Sequence, residues 1–164
     1  MNLVIGVGNP DRGDDGVGRV VARLLRSHMP VIEHDGEATA LVDTLRSARH
    51  TWLIDAAQSD SPPGTIHRID CTKDIPLLRS TVSSHGFGLA EAIGLARALG
   101  TMPPHCIIFA IEGTSFTPGT PMSPPVTGAA REVARRILAE SLQYRANPSP
   151  GIWQDHRLEM VHHC

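Results

Sequence analysis

Aromatic residues, cysteines and long apolar runs are all scarce in this sequence of 164 residues. Only 4% of the residues are aromatic, which leaves too few rings for a surface that stacks nucleic-acid bases. The three cysteines are an odd number and form no CxxC pair, so neither a disulfide framework nor a zinc knuckle is predicted. No apolar run approaches the ~20 residues that a membrane helix needs. We therefore expect a protein that binds neither nucleic acid nor membrane.

An excess of charge of either sign is also missing. The formal net charge is -2, which is too close to neutral to favour binding to nucleic acid or to a membrane surface. The first residues, MNLVIGVGN, lack the basic region and long apolar stretch of a signal peptide and are typical of a buried strand. Together with the unpaired thiols, this start favours a cytoplasmic location.

Strand-like and helix-like patterns alternate along the chain, which predicts a three-layer α/β/α sandwich. The segment of residues 57–63 is too short for a crossover helix, so the fourth strand is predicted to run antiparallel. Residues 1–144 are expected to form one domain, followed by a partly disordered tail at residues 145–164. The predicted strands are residues 2–7, 30–34, 51–56, 64–70 and 105–111. The first predicted helix begins at Asp15, and the other three cover residues 38–49, 85–99 and 126–144.

Three residues with metal-binding side chains stand where strands end or where a helix begins: Asp15, Asp55 and His85. Loops that leave the carboxyl ends of neighbouring parallel strands meet in one crevice, so residues far apart in sequence can share a site there. Two carboxylates and one imidazole suit a hard or borderline divalent cation and leave room for water or a substrate oxygen. The sequence therefore predicts metal-assisted hydrolysis at this edge of the sheet.

Each of these residues also has a simpler interpretation. Asp14 and Asp15 could only cap a helix, Asp55 could begin a turn, and the ring of His85 could lie in solvent. We expect Asp14 to be the N-cap, which leaves Asp15 for chemistry. The hypothesis depends on the three residues meeting at one end of one sheet.

The glycine-rich loop after the first strand invites comparison with dinucleotide-binding proteins. Gly6 and Gly8 fit the first part of their fingerprint, but Asp11 occupies the third glycine position. Acidic residues at this helix start would repel the pyrophosphate that the positive end of a helix attracts. A phosphate-binding loop is excluded because no GK[ST] sequence follows.

Four motifs, found in order between Met1 and about Tyr144, together resemble those of the nickel-iron hydrogenase maturation endopeptidases. The first and third are specific in combination, whereas GVGN alone would not be. The family has an α/β/α fold with a mixed, mostly parallel five-stranded sheet and one antiparallel strand, in agreement with the short connection before residue 64. The motifs are GVGNPDRGDDGVG, LIDA, SSHGFGLAEAI and IEGTSFTPGTPMSPPV.

The resemblance implies an endopeptidase that removes the C-terminal extension from the precursor of a hydrogenase large subunit, after nickel has been inserted. The metal-site residues of the family match Asp15, Asp55 and His85, with Asp14 as the alternative if the loop register differs. The resemblance also implies that the precursor supplies the nickel. Zinc or cadmium would fit the same ligands.

Two further segments are predicted to touch the substrate. Asp35 and Gly36 follow the second strand at the same sheet end, and together with Asp14 they are the candidate substrate-binding residues. The loop of residues 112–124 is long enough to act as a clamp, although it could equally be an ordinary connection.

Two other functions compete with the endopeptidase. One is a non-catalytic, chaperone-like module that checks nickel loading of the same precursor. The other is a small-molecule hydrolase or phosphorylase, which would need a basic anion pocket; the acidic loop argues against it.

Overall fold

The computed structural model describes residues 1–73 and 88–146. Five strands form one sheet in the order β2-β1-β3-β5-β4, and β4 runs antiparallel to β5 while the other neighbours are parallel. The strands are β1 (Asn2–Val7), β2 (Val31–His34), β3 (His50–Ala57), β4 (Ile66–Asp70) and β5 (His105–Glu112). The helices are α1 (Val17–Leu25), α2 (Ala38–Arg46), α3 (Gly88–Ala98) and α4 (Pro124–Ala146), and a 3-10 turn covers Gly13–Gly16.

Helices cover both faces of the sheet, and each face has its own apolar core. Successive residues of a strand point to opposite faces, so Leu3 and Ile5 of β1 pack with α2 and α3 while Val4 packs with α1 and α4. The central strands β1, β3 and β5 are almost completely buried, as strands covered on both sides should be. The predicted three-layer sandwich is therefore confirmed.

The predicted antiparallel direction of the fourth strand is also confirmed, but its start is not. The strand begins at Ile66 because Gly64 has a φ of 84°, a left-handed conformation that does not continue a strand. The second helix is likewise shorter than predicted. It ends at Arg46, because the N–H group of Arg49 already donates to the carbonyl oxygen of Met1 and leads the chain into β3.

The last helix is longer than predicted, since it runs from Pro124 to Ala146. Of the helix predicted at 85–99, the described residues begin at Gly88 and form a helix to Ala98. The predicted tail at 145–164 lies largely outside the described residues. Among the helices of residues 1–73 and 88–146, none combines the length and the apolar character needed to cross a membrane.

Close contact between helix α1 and the sheet depends on two glycines. A Cβ atom added to Gly18 would lie 2.3 Å from the carbonyl oxygens of both Val7 and Ile54, and one added to Gly6 would lie 2.2 Å from the carbonyl oxygen of Gly18. Any larger residue at these positions would push the helix away. The start of α1 therefore lies directly against the carboxyl ends of β1 and β3.

Candidate active site

The two predicted carboxylate ligands lie at the same end of the sheet. Asp15 belongs to the 3-10 turn that precedes α1, and this turn contacts β3. Asp55 follows Ile54, whose carbonyl oxygen faces Gly18 near the start of the helix. The structure thus places the turn that carries Asp15 beside the end of β3 that carries Asp55.

Both carboxylates are buried and hydrogen-bonded to the backbone. Oδ2 of Asp15 accepts a hydrogen bond of 3.1 Å from the N–H group of Asn9, and Oδ1 of Asp55 accepts one of 2.8 Å from that of Ala56. Asp15 is 0% and Asp55 1% exposed. Burial of a carboxylate is costly unless donors or a cation compensate the charge, so two buried acids at one sheet end are typical of a functional site.

The third predicted ligand, His85, lies outside the described residues. Helix α3 begins at Gly88, and its last residue, Ala98, is joined by residues 99–104 to the start of β5 at His105. The first turn of α3 therefore points towards the end of the sheet that carries Asp55. Within residues 1–73 and 88–146, no group of three or more His, Cys, Asp or Glu side chains is arranged to hold a metal ion. The metal site of Asp15, Asp55 and His85 stays a prediction.

Asp14 does not cap helix α1, so that prediction was wrong. It lies inside the 3-10 turn, and Gly16 precedes the helix without any side-chain cap. Its fully buried carboxylate instead accepts four hydrogen bonds from the loop before α4. Oδ1 binds the N–H group of Ser123 at 2.7 Å, while Oδ2 binds the N–H groups of Thr114 at 2.8 Å and Ser115 at 3.1 Å and the hydroxyl group of Ser123 at 3.0 Å.

These bonds keep Asp14 ionised. Burial alone would raise the pKa of its carboxyl group, but the N–H groups of Thr114, Ser123 and Ser115 and the Ser123 hydroxyl together lower the pKa below its ordinary value. A carboxylate with this many donors is an anchor between two loops. Contact between Asp14 and a substrate stays a prediction.

The loop of residues 113–123 is attached to the glycine-rich loop by its backbone as well. The N–H group of Asp14 donates to the carbonyl oxygen of Ser115 at 2.8 Å. The N–H group of Gly119 donates to the carbonyl oxygen of Asp11, also at 2.8 Å. Nε of Arg12 donates to the carbonyl oxygen of Phe116 at 3.3 Å. The loop that was predicted as a possible clamp thus holds the segment that carries Asp15.

Asp35 and Gly36 form the predicted turn after β2, at the same end of the sheet. The N–H group of Gly36, which has a φ of 98°, donates to Nδ1 of His34 at 2.9 Å. Asp35 accepts a hydrogen bond from the N–H group of Glu37, which lowers the pKa of the Asp35 carboxyl group. Its side chain is 77% exposed and is therefore accessible to a partner. Whether a substrate meets it stays a prediction.

Sequence reasoning missed a fourth buried acid at this sheet end, Glu112, the last residue of β5. Its carboxylate accepts hydrogen bonds from the N–H group of Ser59 at 3.0 Å and from the Ser59 hydroxyl, and it lies 3.0 Å from Nε2 of His67. The sequence does carry a signal for this residue, because Glu112 ends an apolar run just as Asp55 follows the apolar residues Leu53 and Ile54.

Fold and site together define a class: a three-layer α/β/α protein with buried acids at the carboxyl ends of central strands. Comparison with known families identifies that class further. The family model described as hydrogenase maturation protease matches residues 21–140. The chain belongs to the hydrogenase maturation protease family, which confirms the resemblance of the sequence motifs.

Individual relatives agree with this assignment. The chain is 31% identical to the hydrogenase expression/formation protein HupD of Thiocapsa roseopersicina over 118 residues, which are 67% of this chain and 53% of HupD. The chain thus spans about half the length of this relative. The hydrogenase maturating endopeptidase HybD from E. coli has a similar structure, with a TM-score of 0.75 and 20% identity over 87% of this chain and 93% of HybD.

A second solved structure is also similar. The [NiFe] hydrogenase maturation protease HybD from Thermococcus kodakarensis has a TM-score of 0.72 and 22% identity, and the match covers 87% of this chain and 98% of that protein. At these identities the two structures establish a shared fold.

Proposed function

We propose that this chain is an endopeptidase that removes the C-terminal extension from the nickel-loaded precursor of a nickel-iron hydrogenase large subunit. The observation that carries this proposal is the pair of buried carboxylates, Asp15 and Asp55, at one sheet end of a chain from the maturation protease family. The precursor is the proposed partner, and the nickel ion is part of the substrate.

The proposed ligands fit such an ion. Carboxylate oxygens and an imidazole nitrogen are suitable ligands for nickel or zinc, and three protein ligands leave a position open for the substrate. An ion held there would act as a Lewis acid on the scissile carbonyl group. Asp15, Asp55 and His85 would hold the ion brought by the precursor, and Asp35 and Gly36 would contact the peptide around it.

The neighbouring acids would keep this arrangement in place. Asp14 binds the loop before α4 and so fixes the turn that carries Asp15, while Glu112 binds Ser59 and so fixes the chain that leaves β3 after Asp55. Catalysis requires ligands within about 0.5 Å of their productive positions. Buried hydrogen bonds of this kind supply such rigidity.

Mass spectrometry of the nickel-loaded precursor after incubation tests the proposal. The wild-type chain should remove the extension, while Asp15→Asn, Asp55→Asn and His85→Ala should each reduce the rate at least about 100-fold, because each removes a ligand or its charge. Asp43→Asn, which changes an exposed acid on α2, is the matched control and should cleave at the wild-type rate.

Two outcomes would contradict this function. Normal cleavage by all three site variants would reject the site. Tight binding of the precursor without cleavage by the wild-type chain would instead support the non-catalytic nickel-checking module.

A further inference from the structure

His67 lies on the same face of the sheet as Asp55, two strands away, with β5 between their strands. Asp55 of β3 is in register with Ala110 of β5, and Ala110 is in register with His67 of β4. Residues in register on neighbouring strands point to the same face. With strands ~4.8 Å apart, the Cα atoms of Asp55 and His67 are about 10 Å apart. Ala110 of β5 is the residue in register between them on that face.

Glu112 determines which nitrogen of His67 carries hydrogen. Nε2 of His67 lies 3.0 Å from Oε1 of Glu112, and an ionised carboxylate can only accept, so Nε2 must be the donor. Glu112 is itself 1% exposed and held by two donors from Ser59, which fixes the position of its carboxylate. The ring of His67 is therefore oriented by a rigid, buried partner.

The other ring nitrogen, Nδ1, has no hydrogen-bond partner among the described residues. The side chain of His67 is 26% exposed. In the neutral ring, Nδ1 carries a lone pair and can accept an N–H group. Ser59 already donates two hydrogen bonds to the Glu112 carboxylate. His67 is therefore not required as its hydrogen-bond donor, which leaves room for a second role.

We infer that His67 is a specificity-determining residue, whose Nδ1 accepts a hydrogen bond from an N–H group of the substrate peptide. An extended peptide spans ~3.3–3.6 Å per residue, so a group about 10 Å from Asp55 belongs to a residue roughly three positions from the scissile bond. Glu112 acts through His67 and is a positioning residue. The inference rests on the proposed function, because it uses the cleavage of a peptide at Asp55.

Cleavage kinetics with the nickel-loaded precursor test this role. His67→Ala should raise KM about tenfold and leave kcat unchanged, because a contact made equally in the ground state and the transition state affects only binding. His67→Gln should recover most of the lost affinity, since its amide can donate to Glu112 and still present an acceptor. His28→Ala changes an exposed histidine after α1 and should behave as the wild-type chain does.

Precursor binding and cadmium binding, measured by calorimetry, separate this inference from the proposed function. His67→Ala should weaken precursor binding about tenfold and leave cadmium affinity unchanged. A wild-type chain that binds but does not cleave would reject the endopeptidase, while the binding comparison would still decide the role of His67. Unchanged KM and precursor affinity in His67→Ala would overturn the inference. So would a lower kcat and melting temperature that His67→Gln does not restore, since they would indicate a structural role.

Discussion

Asp14 and Asp15 are neighbours in the sequence, yet their carboxylates have different surroundings. The carboxylate of Asp14 is surrounded by protein donors from a loop about 100 residues further along the chain, whereas Asp15 lies beside the end of β3. A buried charge with four donors is stable as an ion and contributes to folding. The adjacent position then carries the charge that is proposed to meet the substrate.

Replacement of Asp14 by asparagine should lower the free energy of unfolding at pH 7 by about 2–4 kcal/mol, because the amide turns a donor towards another donor in a buried site. Urea unfolding measures the change. Asp11→Asn alters an exposed side chain in the same loop and should cost less than about 0.5 kcal/mol. Equal stability of Asp14→Asn and Asp11→Asn would contradict the anchoring role.

The same variant has a defined pH dependence. The pKa of Asp14 is lowered in the folded chain, so the unfolded chain binds a proton more readily. The stability that Asp14 contributes is therefore complete above the ordinary carboxyl pKa of 3.8 and is lost as the pH falls through the lower folded value. The difference in stability between the wild-type chain and Asp14→Asn should shrink as the pH falls below about 4.

At the scale of elements, the site depends on how closely helix α1 approaches the sheet. Gly6 and Gly18 allow the backbone of the helix to contact the ends of β1 and β3. This contact brings the turn with Asp15 next to β3. A helix displaced by the width of one methyl group would separate the two proposed carboxylate ligands.

Gly18→Ala should therefore lower both stability and cleavage. Its Cβ atom would meet backbone oxygens at 2.3 Å, which cannot move aside as a flexible side chain would, so we expect a loss of more than about 2 kcal/mol. Gly128→Ala in α4 is the matched control, because nothing lies within 4 Å of its Cβ position. It should stabilise the chain by up to about 1 kcal/mol. Urea unfolding and cleavage of the precursor measure the two effects; a harmless Gly18→Ala would refute the close contact.

The features that sequence could predict are those set by local pattern. Periodicity and spacing predict the buried strand with Asp55 near its end, the short connection before β4 and the turn at Asp35. The partners of Asp14 could not be predicted, because they lie in a loop that meets the glycine-rich loop only in the folded chain. The pairing of His67 with Glu112 was hidden for the same reason, since it depends on the register of β4 with β5.

At the scale of the whole molecule, the two ends of the sheet differ in chemistry. The carboxyl end carries the buried acids Asp14, Asp15, Asp55 and Glu112. The opposite end carries the rings of His50 and His105, which begin β3 and β5, stack in parallel at 4.5 Å and both contact Tyr144 of α4. Acid should therefore affect the two ends in different pH ranges.

His50 should control stability in the upper of these ranges. Burial lowers the pKa of His50, and the charges of His105, Arg49 and the N-terminus lower it further. The unfolded chain thus takes up a proton first, so the stability that neutral His50 contributes is complete above pH 6.5 and is lost as the pH falls towards the folded value. Urea unfolding between pH 7.5 and about 5 should show this loss in the wild-type chain.

His50→Gln should flatten that dependence, because glutamine does not titrate, while His28→Gln at an exposed position should keep the wild-type slope. The His50→Gln chain should still lose stability as the pH falls below about 4, because the unfolded chain protonates Asp14 more readily than the folded chain does. If instead His50→Gln and the wild-type chain follow the same curve from pH 7.5 to about 5, His50 does not couple folding to pH. The loss of stability in acid would then come from groups other than His50.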